Sequence, residues 1–125
     1  MEDLIYSEES YKLIGLLFKV HNELGYGLRE KDYQRAVAGI LKENNIPFKQ
    51  QVKVDLHLGS NKIRRYYLDF VIEDKIVLEI KAKERFYKDN IAQVFSYLKS
   101  KGLKLGIIAN FTKRGVLFKR IVNLR

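Results

Sequence analysis

Two carboxylates and a lysine in one short stretch carry the strongest chemical signal in this chain. Tyr66, Tyr67, Leu68, Asp69, Phe70, Val71 and Ile72 lead through Glu73, Asp74 and Lys75 into Ile76, Val77, Leu78, Glu79, Ile80 and Lys81. Two β-rich apolar runs separated by a few polar residues read as a hairpin. Alternation along a strand predicts Tyr67, Asp69 and Val71 on one face, with Leu68, Phe70 and Ile72 on the other; on the second strand Val77, Glu79 and Lys81 go together. A loop centred on Asp74 sets Asp69 opposite Glu79 with Cβ atoms roughly 4.5–5.5 Å apart, a separation suited to two carboxylates sharing a divalent cation. A two-residue Asp74-Lys75 turn would instead pair Asp69 with Ile80 and send Glu79 and Lys81 to the opposite face. A solvent-exposed edge face decorated with charges accounts for the same residues, and their spacing alone does not separate the two readings.

Composition narrows the chemistry. The 125 residues suffice for one domain, 1–125, with its own core. The absence of cysteine excludes disulfides, thiol catalysis and thiolate metal sites, and His21 and His57 are the only histidines. Any metal is therefore expected to be a hard, oxygen-liganded one. His21, one turn before a helix break, reads as a partly buried helix residue, and His57 as a surface residue of its strand. No apolar run approaches the ~20 residues of a membrane span. The start of the chain, with Glu2, Asp3, Glu8 and Glu9, is the reverse of a basic signal peptide. A cytoplasmic location without membrane contact is expected. The formal charge is +9, and after Asp89 the chain has no acid but carries Lys99, Lys101, Lys104, Lys113, Arg114, Lys119, Arg120 and Arg125. Such a segment suits a polyanion, although charge alone does not distinguish nucleic acid from anionic lipid or ribosome.

The elements around the hairpin follow from periodicity. Ser7 with Glu8 and Glu9 predicts a helix N-cap, and Leu13, Leu16, Leu17, Val20 and Leu24 recur at helical spacing until Gly25-Tyr26-Gly27. A second helix is predicted over residues 28–44, with Tyr33, Ala36, Val37, Ile40 and Leu41 as its apolar stripe. Glu30 projects from the buried face near its start, where it also favours the helix dipole. Pro47 follows the helix end. Residues 48–58 alternate as a strand, Gly59-Ser60-Asn61 turns, and the first three strands form an antiparallel meander. A third helix is expected over residues 88–100, with Ile91, Val94, Phe95 and Leu98 buried and Gln93 and Tyr97 on a neighbouring face. Residues 103–109 suit a strand buried on both faces, and residues 116–124 a terminal strand. Helix, helix, three strands, helix and strand imply an α/β (α+β) sandwich, helices covering a mixed sheet.

Several of these features, taken together, resemble one family. Gly27-Leu28-Arg29-Glu30-Lys31-Asp32-Tyr33 matches the G-x-x-E-x-x-Y signature of the GxxExxY proteins, a branch of the PD-(D/E)XK nuclease-like superfamily. The resemblance runs from Val20-His21-Asn22-Glu23-Leu24-Gly25 through Leu68-Asp69-Phe70 and Glu79-Ile80-Lys81 to Gln93-Val94-Phe95-Ser96-Tyr97-Leu98 and Leu105-Gly106-Ile107-Ile108-Ala109-Asn110-Phe111, about residues 8–123. Leu68 stands where the superfamily's nominal proline would precede the aspartate.

The resemblance implies a restriction-endonuclease-like α/β/α core in the order α-α-β-β-β-α-β. It implies an active site of Glu30, Asp69, Glu79 and Lys81, with Gln93 and Tyr97 as the Q-x-x-x-Y element of RecB-like nucleases. Asp69, Glu79 and the Ile80 carbonyl would then hold Mg²⁺, with Mn²⁺ substituting and Glu30 reaching it through water or binding a second cation. Gln93 and Tyr97 would hydrogen-bond the Lys81 amine, a ligand water or a phosphate oxygen. The implied activity is phosphodiester hydrolysis, with DNA the expected substrate and DNA repair, recombination or defence the expected setting. Two other classes stay open: a catalytically inactive nucleic-acid-binding module of the same fold, and a protein whose basic face meets an acidic protein or membrane surface. A homodimer or a partner that completes the substrate cleft is expected, because one small domain offers few surfaces for gripping a duplex.

Overall fold

Strand alternation and helical stripes sort the apolar residues into two cores on either side of one sheet. The computed structural model describes residues 5–124, so Glu2, Asp3 and Arg125 lie outside the described residues. The elements are α1 (Ser7–Leu24), α2 (Glu30–Glu43), β1 (Phe48–Leu58), β2 (Asn61–Ile72), β3 (Ile76–Lys81), α3 (Lys88–Lys101), β4 (Leu105–Thr112) and β5 (Gly115–Val122). The sheet order is β1-β2-β3-β4-β5. The first three strands form the expected antiparallel meander. β3 and β4 run parallel and β4 and β5 antiparallel. A parallel pair requires a crossover, which α3 supplies.

One face of the sheet packs Phe70, Ile72, Ile76, Leu78, Ile80 and Ile107 against Leu13, Leu17, Val20, Tyr33, Val37 and Leu41 of α1 and α2. The other packs Leu68, Val71, Val77 and Ile108 against Val94, Tyr97 and Leu98 of α3. The result is the expected α/β/α sandwich. Gly106 of β4 lets α3 come close, because a Cβ there would collide with the Val94 side chain. Gly106→Ala is therefore expected to cost about 1–3 kcal/mol through overpacking, measured by urea denaturation; an unchanged midpoint would show that α3 shifts freely.

Local expectations moved at several boundaries. Tyr6, in the left-handed region, occupies the N-cap of α1 and makes no side-chain capping bond, while Ser7 is already helical. α2 starts at Glu30 rather than at residue 28, because Tyr33 Oη donates to the Gly25 carbonyl at 2.7 Å and ties the preceding loop to the helix. Asp32 caps that start by accepting the Arg29 N–H. On α3, Tyr97 takes the core stripe and Phe95 faces outward beneath the Lys99 ammonium, reversing their expected places. β4 begins two residues later than expected and runs to Thr112. His21 is structural: its Nε2–H donates to the Thr112 carbonyl at 2.8 Å and its ring stacks on Phe111.

Candidate active site

The hairpin register is the one a loop centred on Asp74 requires. Phe70 pairs with Leu78, Val71 with Val77 and Ile72 with Ile76. Glu73 and Asp74 both take positive φ, and Lys75 N–H closes the turn onto the Ile72 carbonyl. Positive φ at both central positions defines a primed type I turn, whose twist suits a hairpin.

Beyond Phe70 the backbone ladder gives way to side chains. Glu79 Oε2 accepts the Asp69 N–H at 2.7 Å, and Asp69 Oδ2 accepts the Ile80 N–H at 2.7 Å. The carboxylates therefore do not simply stand side by side on a flat face, as alternation predicted. Each is inserted between the strands and satisfies a backbone donor of the opposite one. The facing pattern breaks at the same point: Leu68 packs on the α3 side with Val71, whereas Phe70 and Ile72 pack on the α1/α2 side. On the neighbouring strand Gln51 takes a positive φ.

Burial and mutual charge set the electrostatics. Asp69 is 8% exposed and Glu79 7%. Desolvation pushes the Asp69 pKa up, against the Ile80 hydrogen bond and the Lys81 charge, and the Glu30 charge adds to the rise. Glu79 is pushed up to about 8, first by burial and then by the Asp69 charge, while the Asp69 N–H and Lys81 pull it down. Two buried carboxylates that oppose each other's ionisation make a site where a cation is stabilising.

α2 closes the site from the other side. Glu30, its first residue, accepts the Ala82 N–H through Oε2 at 3.2 Å, just past the end of β3, and lies 4.0 Å from Lys83 Nζ. Gln34 Nε2 donates to Asp69 Oδ1 at 3.1 Å. Sequence reasoning passed over Gln34, although its position one turn after Glu30 puts both on one helix face. It also assigned no role to Asn110, fully buried on β4 opposite Lys81. Asn110 Oδ1 accepts the Lys83 N–H and its Nδ2 donates to the Arg85 carbonyl, so it holds the segment that follows Lys81.

The remaining expected site residues lie elsewhere. Tyr97 is buried in the α3-side core, where its charged neighbours are Lys49 and Asp74, at the turn end of the hairpin. Gln93 lines a groove of about 230 Å³ with Leu56, Arg64, Tyr66 and Ser96, and its carbonyl accepts the Tyr66 hydroxyl at 2.9 Å. Tyr66 in turn feels the Glu79 charge. Gln93 thus sits one residue removed from the carboxylates, and among the described residues neither Gln93 nor Tyr97 hydrogen-bonds them or Lys81. Of the basic tail, Arg120 is engaged in the fold, donating to Ser10 Oγ and the Ile5 carbonyl.

Among the described residues no cluster of three or more His, Cys, Asp or Glu side chains is arranged to hold a metal. The donor chemistry of the site nevertheless fits a hard divalent ion. Mg²⁺ is held by one or two carboxylates and keeps several waters, each hydrogen-bonded carboxylate oxygen retains a lone pair, and Glu79 Oε1 takes no hydrogen bond among the described residues.

A five-stranded mixed sheet between helices, with acids at the parting of its central hairpin and a lysine two residues on, defines a restriction-endonuclease-like fold. The chain belongs to the PD-(D/E)XK nuclease superfamily, whose family model matches residues 7–121. Among solved structures, that of SSO0001 is 20% identical and superposes with a TM-score of 0.58, over 94% of this chain and 59% of that one. An alkaline exonuclease (LHK-Exo) from Laribacter hongkongensis is 12% identical with a TM-score of 0.52, over 98% of this chain and 72% of that one. At these identities the likeness is one of fold, and the chain spans little more than half the length of the first. A comparison with curated proteins gave no match. Among the described residues, no helix is long and apolar enough to cross a membrane.

Proposed function

We propose that this protein is a cytoplasmic Mg²⁺-dependent nuclease of the GxxExxY type that hydrolyses DNA phosphodiester bonds, with Mn²⁺ substituting. The observation that carries the reading is the interlocked, buried pair of Asp69 and Glu79 within range of the Lys81 charge. An unpaired buried carboxylate is costly, so a fold with no use for a cation there would do better with apolar residues.

Asp69, Glu79 and the Ile80 carbonyl are the residues that would hold the ion, with Glu30 approaching through a water. When bound, the ion supplies counter-charge to the phosphoryl oxygens and the leaving group. The protein's own residues do the positioning. Gln34 fixes the Asp69 carboxylate, and Asn110 steadies the chain beyond Lys81. Lys81, as ammonium, orients the attacking water and offsets the extra negative charge of the transition state. Gln93, in the groove beside Tyr66, is assigned to the substrate backbone, and Tyr97 supports it from the core. Exposed cations such as Lys113 and Arg114 meet phosphates, contacts that carry affinity but no sequence information.

The test is cleavage of labelled single-stranded, duplex and branched DNA in Mg²⁺ or Mn²⁺. Wild-type protein is expected to cut, and Lys81→Ala to lose about 10²–10³-fold in rate with little change in melting temperature. No cleavage by wild type in either metal, or equal cleavage by a Lys81→Ala/Asp69→Ala double mutant, would overturn the reading. Salt-dependent DNA binding without cleavage would point to a binding module of the same fold.

A further inference from the structure

The outer half of the β1–β2 hairpin meets the site described above only through Leu56 and Arg64, which line the Gln93 groove. β1 is an edge strand, and β2 meets β3 only from Phe70 inward, so the hairpin continues outward from Asp69 as a free two-stranded ribbon. Its base rests on α3 through Val52, Val54, Tyr66 and Leu68. Past that base, residues 56–65 are all exposed. At about 3.3 Å per residue, the strand from Asp69 to Ile63 spans roughly 20 Å. A register shift between Leu56 and His57 marks a bulge near the tip, a feature that bends a ribbon.

Charge and pairing show what this ribbon fits. Lys53, Lys62, Arg64 and Arg65 stand against one acid, Asp55, which is paired with Arg65 at 2.8 Å. Cross-strand partners share a face. The pairs Lys53 with Tyr67, Asp55 with Arg65 and, across the bulge at Ile63, His57 with Lys62 therefore place three cations on one face, and Leu56 with Arg64 places a fourth on the other. Two apolar side chains flank the Gly59-Ser60 turn at the tip, Leu58 72% and Ile63 56% exposed. Cations on a single face would suit a ribbon lying on a polyanion. Cations on both faces, with exposed Leu58 and Ile63 beside the turn, suit a ribbon standing between two walls of phosphate with its end against base edges. The major groove of duplex DNA, ≈ 12 Å wide, admits a two-stranded ribbon.

We infer that the β1–β2 ribbon is the protein's duplex grip: it enters a groove of double-stranded nucleic acid and sets the backbone beside it over Asp69. The inference rests on the nuclease reading for what happens at Asp69, but the grip itself is measured without cleavage. With the full chain and a labelled duplex in EDTA, a Lys62→Ala/Arg64→Ala variant is expected to bind about tenfold more weakly or worse. Its salt dependence, log K against log[salt], should be shallower by about 1.8 for two lost phosphate contacts. A Leu58→Ser/Ile63→Ser variant should weaken binding without changing that slope. Lys12→Ala/Lys19→Ala, exposed on α1, which lies on the sheet face opposite α3 and against the far edge strand β5, serves as the control and should bind like wild type. Duplex binding by the Lys62/Arg64 variant with wild-type affinity and slope would overturn the inference. So would equally tight binding of a single strand by wild type, or sedimentation showing a wild-type dimer that the tip variant splits, which would assign the ribbon to a second copy of the chain. Duplex binding through the ribbon with no cleavage in Mg²⁺ leaves the grip standing and removes only the nuclease.

Discussion

Asp69→Asn is expected to keep the fold and lose cleavage by about 10³-fold or more. The two donors that meet this carboxylate differ in kind. The Ile80 N–H is fixed, whereas the Gln34 amide can turn over and present its oxygen. Asparagine can therefore place Oδ1 on the Ile80 N–H and its amino group on the turned Gln34, leaving no buried group unpaired. What it cannot supply is the negative charge that, with Glu79, would hold a divalent ion. Melting curves and gel-based cleavage test both halves. A variant that is folded but retains a tenth of wild-type activity would remove Asp69 from the site. The Gln34 argument has its own check: adding Gln34→Leu to Asp69→Asn should cost a further 1–3 kcal/mol or so, since the asparagine amino group then has no acceptor.

The second large effect is on stability. Without metal, the protein is expected to melt progressively lower as pH rises from about 4.5 towards about 8. The sign follows from proton linkage. Glu79 binds its proton more tightly folded than unfolded, raised from 4.5 to about 8, and Asp69 moves in the same direction. Where the native state holds more protons, stability falls as pH rises. Its contribution is thus full below the unfolded pKa and lost as pH climbs through the folded one. The loss should be on the order of 2–4 kcal/mol, or roughly ten degrees in melting temperature for a domain of this size. The partly exposed carboxylates of Glu9 and Asp55 are pulled the other way, Glu9 by a backbone hydrogen bond and then by Lys75, Asp55 by Arg65, and titrate below this window. Glu79→Gln should flatten the profile and raise metal-free stability near pH 8. Mg²⁺ at about 100 times its dissociation constant should restore about 2.7 kcal/mol to wild type at that pH, and much less to Asp69→Asn. Differential scanning calorimetry across pH, with and without Mg²⁺, measures all of this; a flat metal-free profile would show that the two carboxylates are not electrostatically opposed.

These effects trace to a hairpin whose core was legible in the sequence. Strand alternation is local, with a period of two, so residues 66–81 marked both strands and left two registers open; the pairing of Phe70 with Leu78 is the one that a loop centred on Asp74 gives. The helical stripes and the layering of helices on a mixed sheet were likewise legible from periodicity, and the gathering of Glu30, Asp69, Glu79 and Lys81 from the resemblance to the GxxExxY proteins. Three things were decided only by the tertiary structure. The strands part at Asp69, so that carboxylates replace backbone partners and Leu68 changes face, because two buried backbone donors there are satisfied by side chains rather than by the ladder. Gln34 meets Asp69 across 35 residues, a contact set by how α2 lies on the sheet and not by any local pattern. Tyr97 enters the core while Gln93 stays at its edge, because the close approach of α3 over Gly106 selects which stripe of the helix is buried. Local periodicity determines which face of an element is apolar; the angle and depth at which elements dock determine which polar atoms meet, and the candidate site consists of such meetings.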